Sequence, residues 1–377
     1  MQTKRFGLCA ALSAAALLLL AGCAGSGSTA APTLTVESSY PLQYAKQFTV
    51  DECTGGYELI TIADSQYLVV PQGAAVPEDL PQGTTVLQQP IENIYLVSTS
   101  AMDPIISLGT LDSIALSGTK ADGWYLPEAK AAMQAGQIAY AGKYSAPDYE
   151  TILASGCGLA IENTMIYHTP EVKEQLEKFG IPVLVERSSY ETDPLARMEW
   201  VKLYGILLGK KQEAEQLFDT QVQRVAPLEN QQPTGKSVAF FSITSNNLVT
   251  VRKGSDYVAR MIEMAGGSYV FDDLTDSGNN LATINLSLED FYAGAKDADV
   301  LIYNSTIEGS IASTEQLVEK CPLLAQFKAV QNGNVWCTAQ SLFQQSMELP
   351  DLILDMNRVF TEGTPADSEL TFLTHVE

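Results

Sequence analysis

Residues 210–229 read KKQEAEQLFDTQVQRVAPLE, and this segment decides how the chain divides. Apolar side chains recur in it at three- and four-residue steps with charged side chains between them, which is the spacing of an amphipathic helix. About 20 residues at about 1.5 Å each span roughly 30 Å, so a helix over 210–230 can join two lobes. The apolar residues are Ala214, Leu217, Phe218, Val222 and Val225.

Short apolar runs alternate with helical stretches on both sides of this segment. Short buried strands that alternate with helices form parallel βαβ units, so the alternation predicts the α/β class on each side. Ahead of these units, strand-like runs at 48–50, 57–62 and 66–70 predict a small antiparallel ribbon. The runs that we interpret as buried strands are 94–97, 159–161, 183–185, 238–243, 300–303 and 335–337.

The first 23 residues indicate export. Lys4 and Arg5 precede an apolar stretch over 8–20, which is too short for a membrane span and is followed by two small residues and Cys23. Small residues just before a cysteine resemble a lipobox, in which the signal is cut ahead of Cys23 and that cysteine receives lipid. An ordinary signal peptide with a chance cysteine is the alternative. The small polar residues 24–32 have the composition of a flexible tether.

Charge and length limit the partners and the domain count. Without Lys4 and Arg5 the chain has 20 basic and 45 acidic side chains, a formal charge of −25, which disfavours nucleic acid and anionic lipid headgroups. About 355 residues after the signal suggest two domains. The predicted divisions are a signal peptide over 1–22, a tether over 23–36, an N-terminal α/β lobe over 37–209, a connecting helix over 210–230 and a C-terminal α/β lobe over 231–377.

Cysteine and histidine are too sparse for a zinc site. The four cysteines that follow Cys23 include no CxxC pair, and the chain has only two histidines. We therefore predict no metal site and no cofactor held by the protein itself. Free buried thiols are the preferred interpretation, and a bridge between Cys321 and Cys337 is the alternative.

Six segments in a fixed order resemble the iron-complex and cobalamin class of solute-binding proteins of ABC importers. The resemblance implies two Rossmann-like lobes joined by a single long rigid helix that permits only small closure, with a ligand cleft between the lobes. It also implies delivery of the ligand to a membrane permease, a monomer and no catalysis. The expected ligand is an iron-siderophore or similar metal chelate, and haem, a cobamide or another nutrient is the alternative. The segments are the lipobox at Cys23, 94–109, 177–185, 209–215, 297–302 and 332–336.

The expected cleft residues follow from a rule for open α/β sheets, in which the carboxyl ends of the strands form the binding crevice. The loops after the predicted strands are rich in hydroxyl and amide groups, which bind a polar ligand without placing a charge in the cleft. Helix capping and turn formation are the alternative role for these side chains. On this rule we select Ser100, Met102, Glu162, Asn163, Thr164, Ser245, Asn246, Asn304 and Gln344.

Aromatic residues and one arginine complete the predicted ligand site. Aromatic walls suit a large, flat or chelated ligand, although each ring could equally belong to the core. Tyr144 resembles a cleft aromatic of the cobalamin binders because it stands six residues before Glu150. Arg252 follows a predicted strand and could hold a carboxylate or catecholate in two bonds, or simply pair with an acid. The aromatic candidates are Trp124, Tyr125, Tyr144, Tyr190 and Phe343.

Glu150 and Glu289 occupy matching places in the two halves, each near a helix start that precedes a predicted strand. In the class that the chain resembles, a glutamate at each such place pairs with arginines of the permease, so we assign both residues to permease docking. An acid in the first turn of a helix is also favoured by the helix dipole, and Ser287 with Asp290 fits a capping box.

A surface-anchored hydrolase on an α/β fold is the rival interpretation. The sequence contains no GxSxG elbow, no HExxH and no Walker sequence, and His168 fits a surface residue better than a general base. A zinc or manganese binder of related architecture would need histidines that the chain lacks. The sequence therefore favours a binding protein over an enzyme.

Overall fold

The computed structural model describes residues 33–275 and 282–377, which fold into four β-sheets with flanking helices and confirm the α/β class. The predicted signal peptide, Cys23 and residues 24–32 of the tether lie outside the described residues. Within the two described ranges, every helix is too short or too polar to cross a membrane.

A five-stranded sheet opens the described chain, where the sequence predicted a small antiparallel ribbon. Its strands follow chain order, and neighbours are antiparallel except for the last pair, which is parallel. The Lys211 ammonium lies 2.6 Å from a carboxylate oxygen of Glu52 and 2.6 Å from one of Glu58, which ties this sheet to the centre of the molecule. The strands are β1 (Val36–Ser39), β2 (Phe48–Cys53), β3 (Tyr57–Ile62), β4 (Ser65–Val70) and β5 (Thr85–Gln88).

The first lobe is built on a parallel sheet with helices on its faces. Its elements are β6 (Ile94–Leu96), α1 (Met102–Ser107), β7 (Ile114–Ser117), α2 (Pro127–Gln134), β8 (Ala139–Tyr140), β9 (Gly142–Lys143), β10 (Ala146–Pro147), α3 (Tyr149–Ala154), β11 (Ala160–Glu162), α4 (Pro170–Lys178) and β12 (Val183–Val185). The sheet order is β12-β11-β6-β7-β8, and β9 with β10 forms a separate two-stranded hairpin. All neighbours in the five-stranded sheet are parallel, as the βαβ alternation predicted.

Two consecutive helices, rather than one, join the halves of the chain. They are α5 (Pro194–Leu207) and α6 (Lys211–Val225), and they pack against each other. The segment predicted as a helix over 210–230 is therefore helical over 15 residues, about 22 Å long. It passes into a 3-10 turn over Ala226–Leu228, where Pro227 has no N–H to continue the α-helical hydrogen bonds.

The second lobe is built on a mixed sheet. Its elements are β13 (Ser237–Ile243), β14 (Val249–Arg252), α7 (Tyr257–Met264), β15 (Ser268–Tyr269), β16 (Thr283–Leu286), α8 (Leu288–Ala295), β17 (Val300–Tyr303), α9 (Ser305–Glu308), α10 (Thr314–Lys320), α11 (Lys328–Gln331), β18 (Val335–Thr338), α12 (Leu349–Glu362) and β19 (Leu373–His375). The order is β16-β14-β13-β17-β18-β19, with β15 also beside β13. The central β13, β17 and β18 are parallel, and β14, β16 and β19 add antiparallel edges.

Two smaller sequence features are settled by the structure. Ser287 caps α8, since its hydroxyl accepts a 3.0 Å hydrogen bond from the Asp290 N–H. The hydroxyl also donates one of 2.8 Å to the Asp290 carboxylate, so Asp290 returns a bond to the Ser287 side chain and not to its backbone N–H as in a full capping box. Cys53, Cys157, Cys321 and Cys337 are all free thiols, so Cys321 and Cys337 are not bridged.

Helix α5 lies at the centre of the molecule. All of its residues are buried, and it packs against α1 of the first lobe and against α7 and α12 of the second. The Glu199 carboxylate accepts hydrogen bonds from the backbone N–H groups of residues 43–45 and from the Lys202 ammonium. A helix without a solvent-exposed face, held by both lobes, makes the two lobes share one core.

Gly205 allows α5 and α6 to approach closely. A Cβ at this position would overlap the Cβ of Ala214 and would lie 2.8 Å from the carbonyl oxygen of Lys210. We expect Gly205→Ala to lower the free energy of unfolding by about 1–3 kcal/mol, although alanine is the better helix former, because the helices must move apart. Urea denaturation measures this change, and Gln216→Ala, at an exposed position of α6, is the control that should change stability little. A Gly205→Ala protein as stable as the natural chain would contradict this packing.

Candidate ligand-binding cleft

A cavity of about 540 Å³ lies between the lobes. On the first lobe it is lined by the loops after the parallel strands β11 and β12, where the rule for open α/β sheets predicts a ligand site. On the second lobe it is lined by the segment between the antiparallel strand β14 and α7, which that rule did not select. The lining residues are Thr164, Arg187, Ser189, Tyr190, Glu191, Thr192, Lys253, Ser255, Asp256 and Ala282.

Arg187 brings a positive charge to this cavity. Its guanidinium carbon lies 4.5 Å from the centre of the Tyr190 ring, and its Nε donates a 3.3 Å hydrogen bond to the side-chain oxygen of Gln47. The neighbouring Glu191 carboxylate instead accepts hydrogen bonds from the N–H groups of residues 46 and 47 and from the Trp200 indole. Arg187 therefore forms no salt bridge with any described residue and presents its charge to the cleft.

The buried Glu186 organises the first-lobe wall. One of its carboxylate oxygens accepts hydrogen bonds from the hydroxyls of Ser98, at 2.9 Å, and Ser100, at 3.1 Å. The other accepts a 2.8 Å hydrogen bond from the N–H of Ser188. Ser100, which the sequence assigned to a ligand, thus holds the loop after β6 against the loop after β12.

Arg252 lies on the second-lobe wall, at the end of β14. Its guanidinium carbon is 4.7 Å from the centre of the Phe343 ring, and a nitrogen is 3.7 Å from the Asp256 carboxylate. Burial raises the pKa of Asp256, while Arg252 and the backbone N–H groups at the start of α7 lower it. Arg252 and Asn304 also line a smaller cavity of about 110 Å³ on the same lobe. Both predicted roles of Arg252 remain compatible with this geometry, because the ion pair is long.

Three predicted ligand residues point into the protein instead. Met102 and Trp124 are 0% and 1% exposed and belong to the main hydrophobic core, where the Trp124 N–H donates to the Ser117 hydroxyl at 3.2 Å. Glu162 is also 0% exposed. Met102 is the first residue of α1 and Glu162 is the last residue of β11, so neither lies in a loop after a strand, and only Trp124 does.

Gln344 is also assigned differently by the structure. Its side-chain oxygen accepts a 2.8 Å hydrogen bond from the Tyr125 N–H, and its nitrogen donates one of 2.9 Å to the Gly123 carbonyl. The Gln344 side-chain amide therefore hydrogen-bonds the two lobes to each other, and both of its polar atoms already have partners within the protein.

The other predicted positions divide between cleft and capping roles. Thr164 and Tyr190 line the cavity. The side-chain oxygens of Asn163 and Asn304 instead accept hydrogen bonds from backbone N–H groups at the starts of the helical turns that follow them. Tyr144 is half-buried against the first-lobe core. Three further predicted residues, Tyr125, Ser245 and Asn246, are exposed but are not part of the cavity lining.

Sequence reasoning did not select Glu186, Arg187 or Lys253. Glu186 and Lys253 directly follow β12 and β14, and Arg187 comes one residue after Glu186, so each was visible as a charged residue at the end of a strand. Two exposed apolar side chains were also missed, Met165 at 44% in the turn after β11 and Ile307 at 71% in α9.

Glu162 is buried without a hydrogen-bond partner. Neither of its carboxylate oxygens meets a donor among the described residues, and burial raises its pKa to about 8. The Glu162 carboxyl group therefore binds a proton more tightly in the folded state than in the unfolded chain. The stability that this proton contributes is fully present below the ordinary carboxyl pKa and is lost as the pH rises toward about 8.

Glutamine cannot ionise. We therefore expect the Glu162→Gln protein to have the same free energy of unfolding as the natural chain at about pH 5 and a higher one above about pH 8. Each unit of pKa shift corresponds to about 1.4 kcal/mol, so the gain at high pH should be readily measured by urea denaturation. Glu171→Gln, at an exposed position of α4, is the control and should show no such pH dependence. If the free energies of unfolding of the Glu162→Gln protein and the natural chain differed by the same amount at all pH values, Glu162 would not be a neutral, buried group.

Comparison with known proteins agrees with this architecture. An uncharacterised lipoprotein of Methanocaldococcus jannaschii is 25% identical over 292 residues, which cover 74% of this chain and 67% of that protein. A periplasmic binding protein of Veillonella parvula superposes with a TM-score of 0.60 at 16% identity, covering 88% of this chain and 99% of that one.

Two further solved structures share the fold. The periplasmic haem-binding protein of Vibrio cholerae has a TM-score of 0.57 at 17% identity, covering 73% of this chain and 99% of that one. The petrobactin-binding protein of Bacillus subtilis has a TM-score of 0.57 at 13% identity, covering 72% and 92%. A family model described as periplasmic binding protein matches residues 96–341, most of both lobes. The chain therefore belongs to the periplasmic binding protein family, whose members bind solutes and are not enzymes.

Proposed function

We propose that this protein is a lipid-anchored, extracytoplasmic solute-binding protein that captures a small ligand, an iron-siderophore or similar metal chelate, and delivers it to an ABC importer. The observation that carries the proposal is the inter-lobe cavity of about 540 Å³ with Arg187 at its wall, which forms no salt bridge with the residues that the structure describes. Cavities of about 300–1,000 Å³ are typical of small-molecule sites.

The chemistry of the cavity suits an anionic chelate with an extended surface. The guanidinium of Arg187 can hold a carboxylate or catecholate through two hydrogen bonds, and Tyr190 adds an aromatic face. Met165, the neighbour in the chain of Thr164 in the cavity lining, is 44% exposed and offers an apolar surface that a large ligand can cover. The solved relatives named for haem and for petrobactin support this class of ligand, and haem or a cobamide are the alternatives.

The lipid anchor rests on separate support. Cys23 follows the predicted signal peptide, and the relative from Methanocaldococcus jannaschii is itself named a lipoprotein. We propose Cys23 as the lipidated residue, with residues 24–32 as the tether that lets the lobes reach away from the membrane.

The ligand can be identified on the protein purified from its native host. We expect a coloured chelate in the absorption spectrum and a matching mass after denaturation. With that ligand, Arg187→Ala should weaken binding about tenfold or more, because a hydrogen-bonded charge pair in the cleft is lost. Arg358→Ala, at an exposed position of α12, is the matched control and should bind normally. Equal affinity in the Arg187→Ala protein would exclude the cavity as the binding site.

Glu150 and Glu289 are proposed as the permease contacts. Both are exposed in the first turns of α3 and α8, one helix on each lobe. We expect Glu150→Arg with Glu289→Arg to abolish uptake in cells and to leave ligand affinity unchanged, because the charge reversal repels permease arginines without touching the cleft. Glu171→Arg with Glu315→Arg reverses two other exposed first-turn acids, one on each lobe, and should preserve uptake. Unchanged transport in the first double variant would reject this docking surface.

A further inference from the structure

A second, smaller cavity lies on one face of the mixed sheet in the second lobe. It measures about 110 Å³, which is the volume of about four water molecules, so it holds one small chemical group and not a whole chelate. Five of the polar residues that line it come from separate parts of the chain. They are Ser242, Thr250, Arg252, Thr283 and Asn304.

Strand register brings these side chains to the same face of the sheet. Ser242 of β13 lies opposite Thr250 of β14, and Arg252 shares the face of Thr250 because side chains alternate along a strand. Arg252 in turn lies opposite Thr283 of β16. Asn304 directly follows β17, which runs parallel to β13 and ends level with the residue before Ser242. The pairing of four strands therefore assembles one polar site.

Three of these side chains carry hydrogen-bond donors that the described part of the chain leaves unused. Ser242 is 3% exposed, and its hydroxyl makes no hydrogen bond with a described residue. The Asn304 side-chain oxygen accepts from the N–H and the hydroxyl of Thr306, at 3.2 and 2.8 Å. The remaining polar group of Asn304 is its NH₂, which can only donate and has no partner among the described residues. The Arg252 guanidinium likewise donates no hydrogen bond to a described residue.

Arg252 supplies a positive charge to this cavity. Its side chain is 13% exposed, and its guanidinium carbon lies 4.7 Å from the centre of the Phe343 ring. The acid paired with it, Asp256, is 3.7 Å away, which is too far for a hydrogen bond, and accepts one of 3.0 Å from the Val258 N–H instead. The described residues that line the cavity include no acid. The charge of Arg252 is therefore only partly balanced.

Unused donors beside a positive charge favour an occupant that accepts hydrogen bonds and is negatively charged. The oxygen atoms of an ionised carboxylate or phosphate only accept, so one such group can satisfy all three donors at once. Hydrogen bonds between a guanidinium and an oxyanion are also stronger than those between neutral groups. A neutral or cationic group of the same size leaves the charge of Arg252 uncompensated.

We propose that this cavity is an oxyanion subsite, in which Ser242, Arg252 and Asn304 together bind one carboxylate or phosphate group. The group can be part of the ligand, because Asp256, the ion-pair partner of Arg252, lines the larger cavity between the lobes. In that form the inference rests on the proposed function and gives the ligand a second anionic group besides the one at Arg187. A free inorganic anion bound beside the ligand has the same chemistry.

Inorganic phosphate and acetate are the probes for the ligand-free protein. We expect at least one of them to bind saturably in an NMR titration at constant ionic strength set with sodium chloride, with the largest amide shifts around residues 242–252 and 304. Arg252→Gln should weaken this binding at least about tenfold and Ser242→Ala at least about threefold, because hydrogen bonds to a charged group are lost. Arg358→Gln and Ser268→Ala, at exposed positions of the same lobe, are the matched controls and should bind normally.

The chelate isolated from the native host distinguishes the two sources of the oxyanion. If it displaces the bound probe and binds more weakly to the Ser242→Ala protein, the chelate itself supplies the group. If the chelate and the probe bind together, a free anion occupies the subsite. Both results support the subsite.

Two results overturn the proposal. One is the absence of saturable binding of both phosphate and acetate. The other is a probe affinity that is equal in the natural chain, the Arg252→Gln protein and the Ser242→Ala protein. Neither result bears on the proposed function, which the Arg187→Ala protein tests separately, and the titrations decide the subsite even if no chelate co-purifies.

Discussion

The complete burial of α5 is the constraint on which the architecture depends. Its residues face α1 in one lobe and α7 and α12 in the other, so neither lobe can close its hydrophobic core without it. Gly205 has no side chain, which allows α6 to pack closely against α5. The buried Glu199 carboxylate accepts hydrogen bonds from the backbone of residues 43–45, just ahead of β2. Two lobes that share a helix in this way can move only slightly against each other, since larger movement would expose apolar surface.

Buried acids serve structural purposes throughout the cleft region. Glu186 gathers the loops after β6 and β12, Glu191 holds residues 46 and 47, and Asp256 begins α7. Because these carboxylates are occupied by N–H and hydroxyl donors, Arg187 forms no salt bridge with Glu186 or Glu191, the two acids nearest to it along the chain. A strongly acidic protein can thereby present a cation to an anionic ligand at one place on its surface.

Residues 344–347 add a second connection between the lobes, and it is polar where α5 is apolar. The Gln344 side chain is hydrogen-bonded to Gly123 and Tyr125, the Ser346 hydroxyl donates to the Ser100 carbonyl, and the Met347 N–H donates to the buried Asp103 carboxylate. Each of these groups would be left without its partner if the lobes moved apart here, so the polar contacts add to the constraint that the shared core imposes.

The sequence by itself determined the element types. The spacing of apolar residues in 210–229 predicted α6, the apolar runs predicted the central strands, and Ser287 with Asp290 predicted the start of α8. It also located the first-lobe loops of the cavity, because chain order fixes where parallel strands end, but not the second-lobe wall, which follows the antiparallel β14. Only the tertiary structure decided which way the side chains in those loops point. Met102 and Trp124 turn into the core, Gln344 binds the other lobe, and Arg187 reaches the cavity. The physical reason is that periodicity records burial along one element, whereas these directions depend on contacts with other elements. The partners of Arg187 and Gln344, for example, are 140 and 221 residues away in the chain.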